Sequence, residues 1–286
     1  MSEFTYDSDY ACDKVSNAFG GKTADAFGFV TTPFKIRNKI RLIELFAGIG
    51  SQAAALQAIG ADFERWVVVD SDEYAIKSYN AIHGTDFVAK DIKDVHGNDL
   101  NIADKEEYTY VCFYSFPCTD LSLSGNRAGM KEGSGTRSSL LWEVKRILNE
   151  CTELPQVLIM ENVPNIHGVE NMKHFQKWLD YLSEKGYCSF WQDMNARDFG
   201  VPQNRDRCIV VSILGQYSFQ FPKPYALEKT LYDCLEDEVD ERLYIKTASA
   251  KAMIDKLVRE GKLPLGVERP VEDNLPKAED TEVNDW

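Results

Sequence analysis

The sequence predicts an α/β protein built on a doubly wound, mostly parallel sheet. Two observations carry this. Short apolar runs alternate with helical stretches from Arg41 to Ile213, which is the pattern of βαβ units. A glycine-rich turn, Phe46-Ala47-Gly48-Ile49-Gly50, joins the first strand to the first helix. There, such folds bring backbone close to a ligand at a helix N-terminus.

Each element follows in order. Arg41–Leu45 reads as the first strand, and Ser51 is the expected N-cap of an alanine-rich helix reaching Ile59. Trp66–Val69 is the second strand, closed by Asp70, and Ala75–Ile82 is helical. A short third strand is expected near Phe87–Ala89, followed by Asp91. Tyr110–Tyr114 is the fourth strand and leads into Phe116-Pro117-Cys118. The long loop beyond contains Gly125, Gly129, Gly133 and Gly135 and reads as mobile. Ser138–Glu150 and residues 171–185 are helices. Between them Val157–Met160 is a fifth strand, ending in Glu161-Asn162-Val163. Two more strands are expected near Ser189–Met194 and Cys208–Ile213. Beyond Pro222 the periodicity weakens. One further helix is expected at 246–259, and Gly261–Trp286 is proline-rich and acidic, a composition that favours disorder. The expected division is an extension at 1–38, a main domain at 39–230 and an acidic tail at 231–286.

A chain of 286 residues, 44% of them hydrophobic, is long enough for one large domain and a small addition. No apolar run approaches the ~18 residues of a membrane span. Met1–Phe34 lacks the basic and apolar regions of a signal peptide. The seven cysteines form no Cys-x-x-Cys pair, and the four histidines show no metal spacing. This points to reduced thiols, a cytoplasmic location, no membrane association and no metal site. The net charge of −14 argues against strong unaided binding of nucleic acid. That charge is uneven: residues 231–286 hold 15 acidic and 8 basic residues, and residues 1–34 hold 5 and 2. Residues 35–230 are therefore only mildly acidic, at −4.

Several strand ends carry chemistry. Ligands of open α/β sheets bind at the carboxyl ends of strands, so Cys118 stands where a nucleophile could act. A small buried apolar role is the commoner fate of such a cysteine. Asp70 can accept hydrogen bonds from two ribose hydroxyls, and Asp91 can meet an adenine amino group. The glycine loop is neither Gly-x-Gly-x-x-Gly nor a P-loop, which suggests a nucleoside cofactor without a pyrophosphate anchor. Taken alone, either Asp could be a solubilising carboxylate. Glu161 ends an apolar strand, where desolvation would raise its pKa toward use as an acid; a helix cap or surface acid is the plain alternative. Gln203, Arg205 and Arg207 alternate and would share one face of an incipient strand, most simply a solvated one.

In order and separation, Phe46–Gly50, Phe116-Pro117-Cys118, Glu161-Asn162-Val163 and Gln203-x-Arg205-x-Arg207 resemble the motifs of cytosine carbon-5 DNA methyltransferases. Asp70-Ser71-Asp72, Asp91-Ile92, Arg137–Trp142 and Asn195–Pro202 are similar as well, so the resemblance covers about residues 39–245. It implies the Rossmann-like fold of S-adenosylmethionine-dependent methyltransferases, with 39–230 as the catalytic domain. It also implies a mechanism. Cys118 as thiolate would attack carbon 6 of cytosine. Glu161 would contact N3 and the exocyclic amine, Arg207 the O2 side, and Arg205 would orient the loop and the cysteine. Carbon 5 would take a methyl group from S-adenosylmethionine and lose its proton as Cys118 is eliminated. A thiol cannot reach a stacked base, so the cytosine must be flipped out of the duplex. The glycine-rich loop at 119–136 would then close over it. The cofactor-binding residues implied are Phe46, Gly48, Ile49, Asp70, Asp91, Ile92, Pro117 and Leu140.

The chain also departs from the family. Thr119 stands where the family often has Gln, and Ser71 where an aromatic often stacks on adenine. After Phe219–Pro224 the family continues into a target-recognition domain and a Gly-Asn-Ser/Ala segment that closes the cofactor pocket. No Gly-Asn follows residue 126 here. The expected partners are therefore double-stranded DNA with a flipped cytosine and a second protein chain supplying recognition. The chain would be the catalytic subunit of a split enzyme or a truncated orphan within a restriction-modification system. A tRNA-modifying enzyme is disfavoured, because Pro164–Gly168 replaces that branch's Cys-Phe-Thr signature. A catalytically silent module binding S-adenosylmethionine or a partner is the alternative from another class. The presence of Cys118, Glu161, Arg205 and Arg207 together argues against it.

Overall fold

Strands alternate their side chains between two faces, and this chain has apolar residues for both. The computed structural model describes residues 32–121, 129–234, 236 and 238–262. Its strands are β1 (Thr32–Pro33), β2 (Lys39–Leu45), β3 (Phe63–Val69), β4 (Tyr108–Tyr114), β5 (Val157–Asn162), β6 (Tyr187–Asn195), β7 (Asp206–Leu214) and β8 (Tyr217–Ser218). The helices are α1 (Ser51–Ala58), α2 (Glu73–His83), α3 (Leu141–Glu150), α4 (Met172–Glu184) and α5 (Ala248–Arg259). Six strands form one sheet in the order β3-β2-β4-β5-β7-β6. Neighbours from β3 to β5 are parallel; β7 runs antiparallel to both β5 and β6. A short parallel pair, β1 and β8, stands apart.

On one face, Ile43, Leu45, Tyr110, Cys112, Tyr114, Leu158 and Met160 pack against α3 and α4 through Trp142, Val144, Ile147, Phe175, Trp178 and Leu182. On the other, Leu42, Val111, Val157 and Val211 meet Ala53 and Leu56 of α1 and the rings of Phe34, Phe219 and Phe221. Each fully buried aliphatic side chain contributes about 1.5–3 kcal/mol relative to exposure. The two-faced sheet is therefore what holds the strand ends still. The buried rings carry their polar atoms satisfied: Trp178 Nε1 donates to Tyr114 Oη at 3.1 Å, and Trp142 Nε1 to the Met130 carbonyl at 2.8 Å.

Four expectations change. No strand forms at Phe87–Ala89: the segment is held by Asn80, whose side chain bonds the backbone of Phe87 at 2.8 and 3.0 Å. A single bond from Lys90 N to the Asp70 carbonyl links it to the end of β3. Ser51 is the first helical residue rather than the cap; left-handed Gly50 (φ 83°) occupies the cap position. Residues 203–205 belong to a turn, since β7 begins only at Asp206. Glu161 lies within β5, which runs on to Asn162.

The expected mobile loop falls partly on residues 122–128, which lie outside the described residues, as do 1–31 of the extension and 263–286 of the tail. Chain contacts divide the protein after Leu231 into two units. Within the first unit, the chain beyond β8 is tied down at Tyr225. Its N–H donates to the Asp198 carbonyl at 2.9 Å and its hydroxyl to the Phe199 carbonyl at 2.6 Å. The second unit contains α5, capped by Thr247 Oγ1, which accepts from Ala250 N at 3.2 Å. Among the described residues no helix is long and apolar enough to cross a membrane.

Candidate active site

The loop after β4 is fixed through three successive carbonyls. Phe116 O accepts from Asn162 Nδ2 at 3.0 Å, Pro117 O from Ser138 Oγ at 2.7 Å, and Cys118 O from Leu121 N at 2.9 Å. Phe116 and Leu121 are buried and anchor the loop from below, while the Cys118 side chain is half-buried. Ser138 is itself buried; its N–H donates to Asp120 Oδ2 at 3.0 Å, and its hydroxyl oxygen accepts from Asp120 N at 3.3 Å. Backbone polar groups at buried sites need such partners. This set leaves the cysteine little freedom to drift.

One of those anchors, Asn162, is the neighbour of Glu161, so the thiol loop and the carboxylate share a support. Glu161 is not isolated in an apolar surround. Arg207 Nε lies 2.6 Å from Glu161 Oε1, with the two side chains 22% and 33% exposed. Arg207 also donates from Nη1 to its neighbour's carbonyl, Asp206 O, at 2.7 Å. Arg205 is exposed and lies in the β6–β7 turn. Its backbone is clasped there by Asn195 Oδ1, which accepts from Arg205 N at 3.4 Å, and by Ala196 N, which donates to Arg205 O at 3.0 Å. Arg205 and Arg207 thus do not share a strand face, because the strand starts between them.

Beside Pro117 opens a cleft of about 340 Å³, within the size range of small-molecule sites. Phe46, Asp70, Asp91, Ile92, Pro117 and Leu140 line it. Gly48 and Ile49 do not. Gly48 instead holds a wall in place, its N–H donating to Asp70 Oδ2 at 2.8 Å, while Asp70 Oδ1 accepts from Asp72 N at 2.9 Å. Ile49 is exposed, and its carbonyl faces His83 Nε2 at 3.1 Å. Phe46 adopts φ 63°, a conformation costly for a residue with a side chain and concentrated at functional sites. Asp91 caps a short turn through Lys93 N at 2.9 Å. Val69, Ser71, Asp72, Lys93, Ser115 and Arg137 complete the lining. Ser71, Asp72 and Arg137 fall in segments that the sequence already marks as family-like, whereas Lys93 and Ser115 are only neighbours of Asp91-Ile92 and Phe116-Pro117-Cys118.

Beneath the glycine loop lies a polar cluster that the sequence did not reveal. Glu44, 1% exposed, accepts from Tyr79 Oη at 2.5 Å and from Ala53 N at 3.3 Å. Burial raises its pKa, and Arg65 nearby offsets part of that. The Tyr79 and His83 rings lie 4.6 Å apart. A Cβ on Gly50 would come within 2.3 Å of His83 Nε2 and 2.6 Å of Tyr79. A lone Glu within a strand reads as surface, so only the fold could reveal its burial.

The profile of the family described as C-5 cytosine-specific DNA methylase matches residues 40–268. Type II methyltransferase M2.ScrFI of Lactococcus lactis subsp. cremoris is 34% identical over 255 residues, covering 72% of this chain and 70% of its own length. Type II methyltransferase M.NlaX of Neisseria lactamica is 32% identical over 207 residues, covering 72% of this chain and 62% of its own. The crystal structure of the Schizosaccharomyces pombe (S. pombe) Dnmt2 methyltransferase superposes with a TM-score of 0.57 at 20% identity. It covers 79% of this chain and 66% of that one, a likeness of fold.

Proposed function

The chain belongs to the C-5 cytosine-specific DNA methylase family, and from that premise we propose that it methylates carbon 5 of cytosine in double-stranded DNA with S-adenosylmethionine as donor. One observation carries the reading. The thiol loop and the Glu161–Arg207 pair stand at adjoining strand ends, joined through Asn162, and Pro117 forms both the approach to Cys118 and a wall of the cleft.

The cleft suits the donor: two carboxylates, Asp70 and Asp91, face it among the apolar walls of Phe46, Ile92, Pro117 and Leu140. When bound, S-adenosylmethionine supplies the methyl group. Asp70 would hold the ribose and Asp91 the adenine side, while Gly48 keeps Asp70 oriented. Cys118 as thiolate adds to carbon 6 of a flipped cytosine, and electron density moves to carbon 5. Glu161 holds the N3 and amine edge, Arg207 holds O2, and their mutual contact fixes both. Arg205, on the turn, would orient the loop and the cysteine. After transfer, carbon 5 loses its proton, the carbon 6–sulfur bond breaks, and the thiolate returns.

The net charge of −14 disfavours attraction to phosphate, so the proposal includes a second polypeptide that supplies target recognition. The test is covalent trapping on duplex DNA containing 5-fluorocytosine, with S-adenosylmethionine, alone and with a recognition chain. Fluorine cannot leave as a proton, so the adduct should persist. An adduct that forms equally with Cys118→Ala would sink the mechanism.

A further inference from the structure

Away from the cleft, three metal-ligating side chains converge from three elements. His167 ends the 3₁₀ turn that follows β5, Asp193 lies in β6 and Cys208 in β7. The β6–β7 ladder places Asp193 directly opposite Cys208, and the β5–β7 ladder places Cys208 opposite Asn162. Paired residues on adjacent strands project to the same face. His167 Nε2 lies 3.0 Å from both Asp193 carboxylate oxygens. The nitrogen, oxygen and sulfur ligand atoms all lie within 4.8 Å of one another.

We propose that His167, Asp193 and Cys208 form a binding site for a divalent transition-metal ion, with zinc favoured by the donor set. One imidazole, one carboxylate and one thiolate suit zinc; magnesium and calcium require oxygen donors. Zinc bonds of about 2.0–2.3 Å in a tetrahedron ask only modest closure of the observed cluster, with water in the fourth place. Access is built in: Cys208 is fully buried, whereas the side chains of His167 and Asp193 are 24% and 40% exposed. The opposite side is shielded by Trp191, whose ring centre lies 4.9 Å from that of His167, and by Phe175 behind it. Binding displaces the Cys208 proton to solvent as the sulfur–metal bond forms. The ion would tie the turn following Glu161-Asn162-Val163 to the strand bearing Arg207, bracing the rim on which the Glu161–Arg207 pair sits.

The test is a titration of the full chain with Co²⁺ at mildly alkaline pH. The expected result is a saturable thiolate-to-cobalt band in the near ultraviolet, visible bands of tetrahedral cobalt, and displacement of both by Zn²⁺. Cys208→Ser should remove the sulfur band, whereas Cys234→Ser, at an exposed thiol, should keep it. His167→Gln and Asp193→Asn should weaken Co²⁺ on the order of tenfold or more. Zn²⁺ should raise the Tm of the parent chain but not of His167→Gln, a substitution at a partly exposed position. Absence of a saturable cobalt spectrum in the folded parent, or a sulfur band surviving Cys208→Ser, overturns the site.

Discussion

Arg207 Nε meets Glu161 Oε1 at 2.6 Å across the junction of β7 and β5. The contact depends on the reversal of β7: its first residues lie beside the last residues of β5. Either partner alone would present an uncompensated charge to the base. Glu161→Gln and Arg207→Ala should each lower single-turnover methylation by roughly a hundredfold or more, the range of a positioned acid–base group. Their double variant should lose less than the sum of both effects, because they act as a pair. Fully additive losses would place them in separate roles.

Cys118→Ala should abolish transfer and leave cofactor binding, measured by calorimetry, within about twofold, since the thiol is needed only for the covalent step. Ser138→Ala should behave differently. It strips a partner from Pro117 O and from Asp120 N. Stability should fall by about 1–3 kcal/mol, the usual cost of a buried polar group left unmatched, in denaturant melts. An unchanged midpoint would show that the carbonyl clamp is dispensable.

Asp70→Ala should weaken cofactor binding, and it should also loosen the glycine loop, because Gly48 N and Asp72 N lose their acceptor. Gly50→Ala should be costlier to folding. The position has φ 83°, and the added Cβ meets His83 at 2.3 Å. A loss of about 1–3 kcal/mol is expected from the backbone alone, with His83→Ala restoring part of the remainder. Thermal denaturation of the single and double variants reads both.

Glu44 gives a pH prediction. Its carboxyl is held above the ordinary value of 4.5 chiefly by burial. The unfolded chain therefore ionises this group first as pH rises. Native stability from this residue falls between 4.5 and the raised folded value, then levels off. In Glu44→Gln that descent is absent. The stability of the Gln variant relative to the parent should rise with pH across that window. A constant difference over the range would mean the carboxyl is not desolvated.

Periodicity and turn chemistry made most of the sheet legible. All six strands of the main sheet appear where apolar runs stand, because strands buried on both faces write long apolar runs into sequence; only the expected strand at Phe87–Ala89 does not form. The short third strand failed because three apolar residues, with Val88 81% exposed, cannot outweigh the local hold of Asn80. The candidate site was legible where a motif marks it, as at Cys118 and Glu161. It was not legible where distant residues combine. Glu44 with Tyr79, or His167 with Asp193 and Cys208, share no spacing and meet only when strand, helix and turn pack together. Ile49 sits in a conspicuous motif, yet the loop's left-handed turns point it outward.

The tether at Tyr225 carries a consequence for engineering. Its bonds to Asp198 and Phe199 bring the polypeptide back to the end of β6, the same edge of the sheet that bears Glu161. A DNA-reading module grafted directly after this residue would start beside the chemistry, at high effective concentration and without a long linker. The same module placed ahead of β2 would start at the opposite edge and have to span the sheet's full depth.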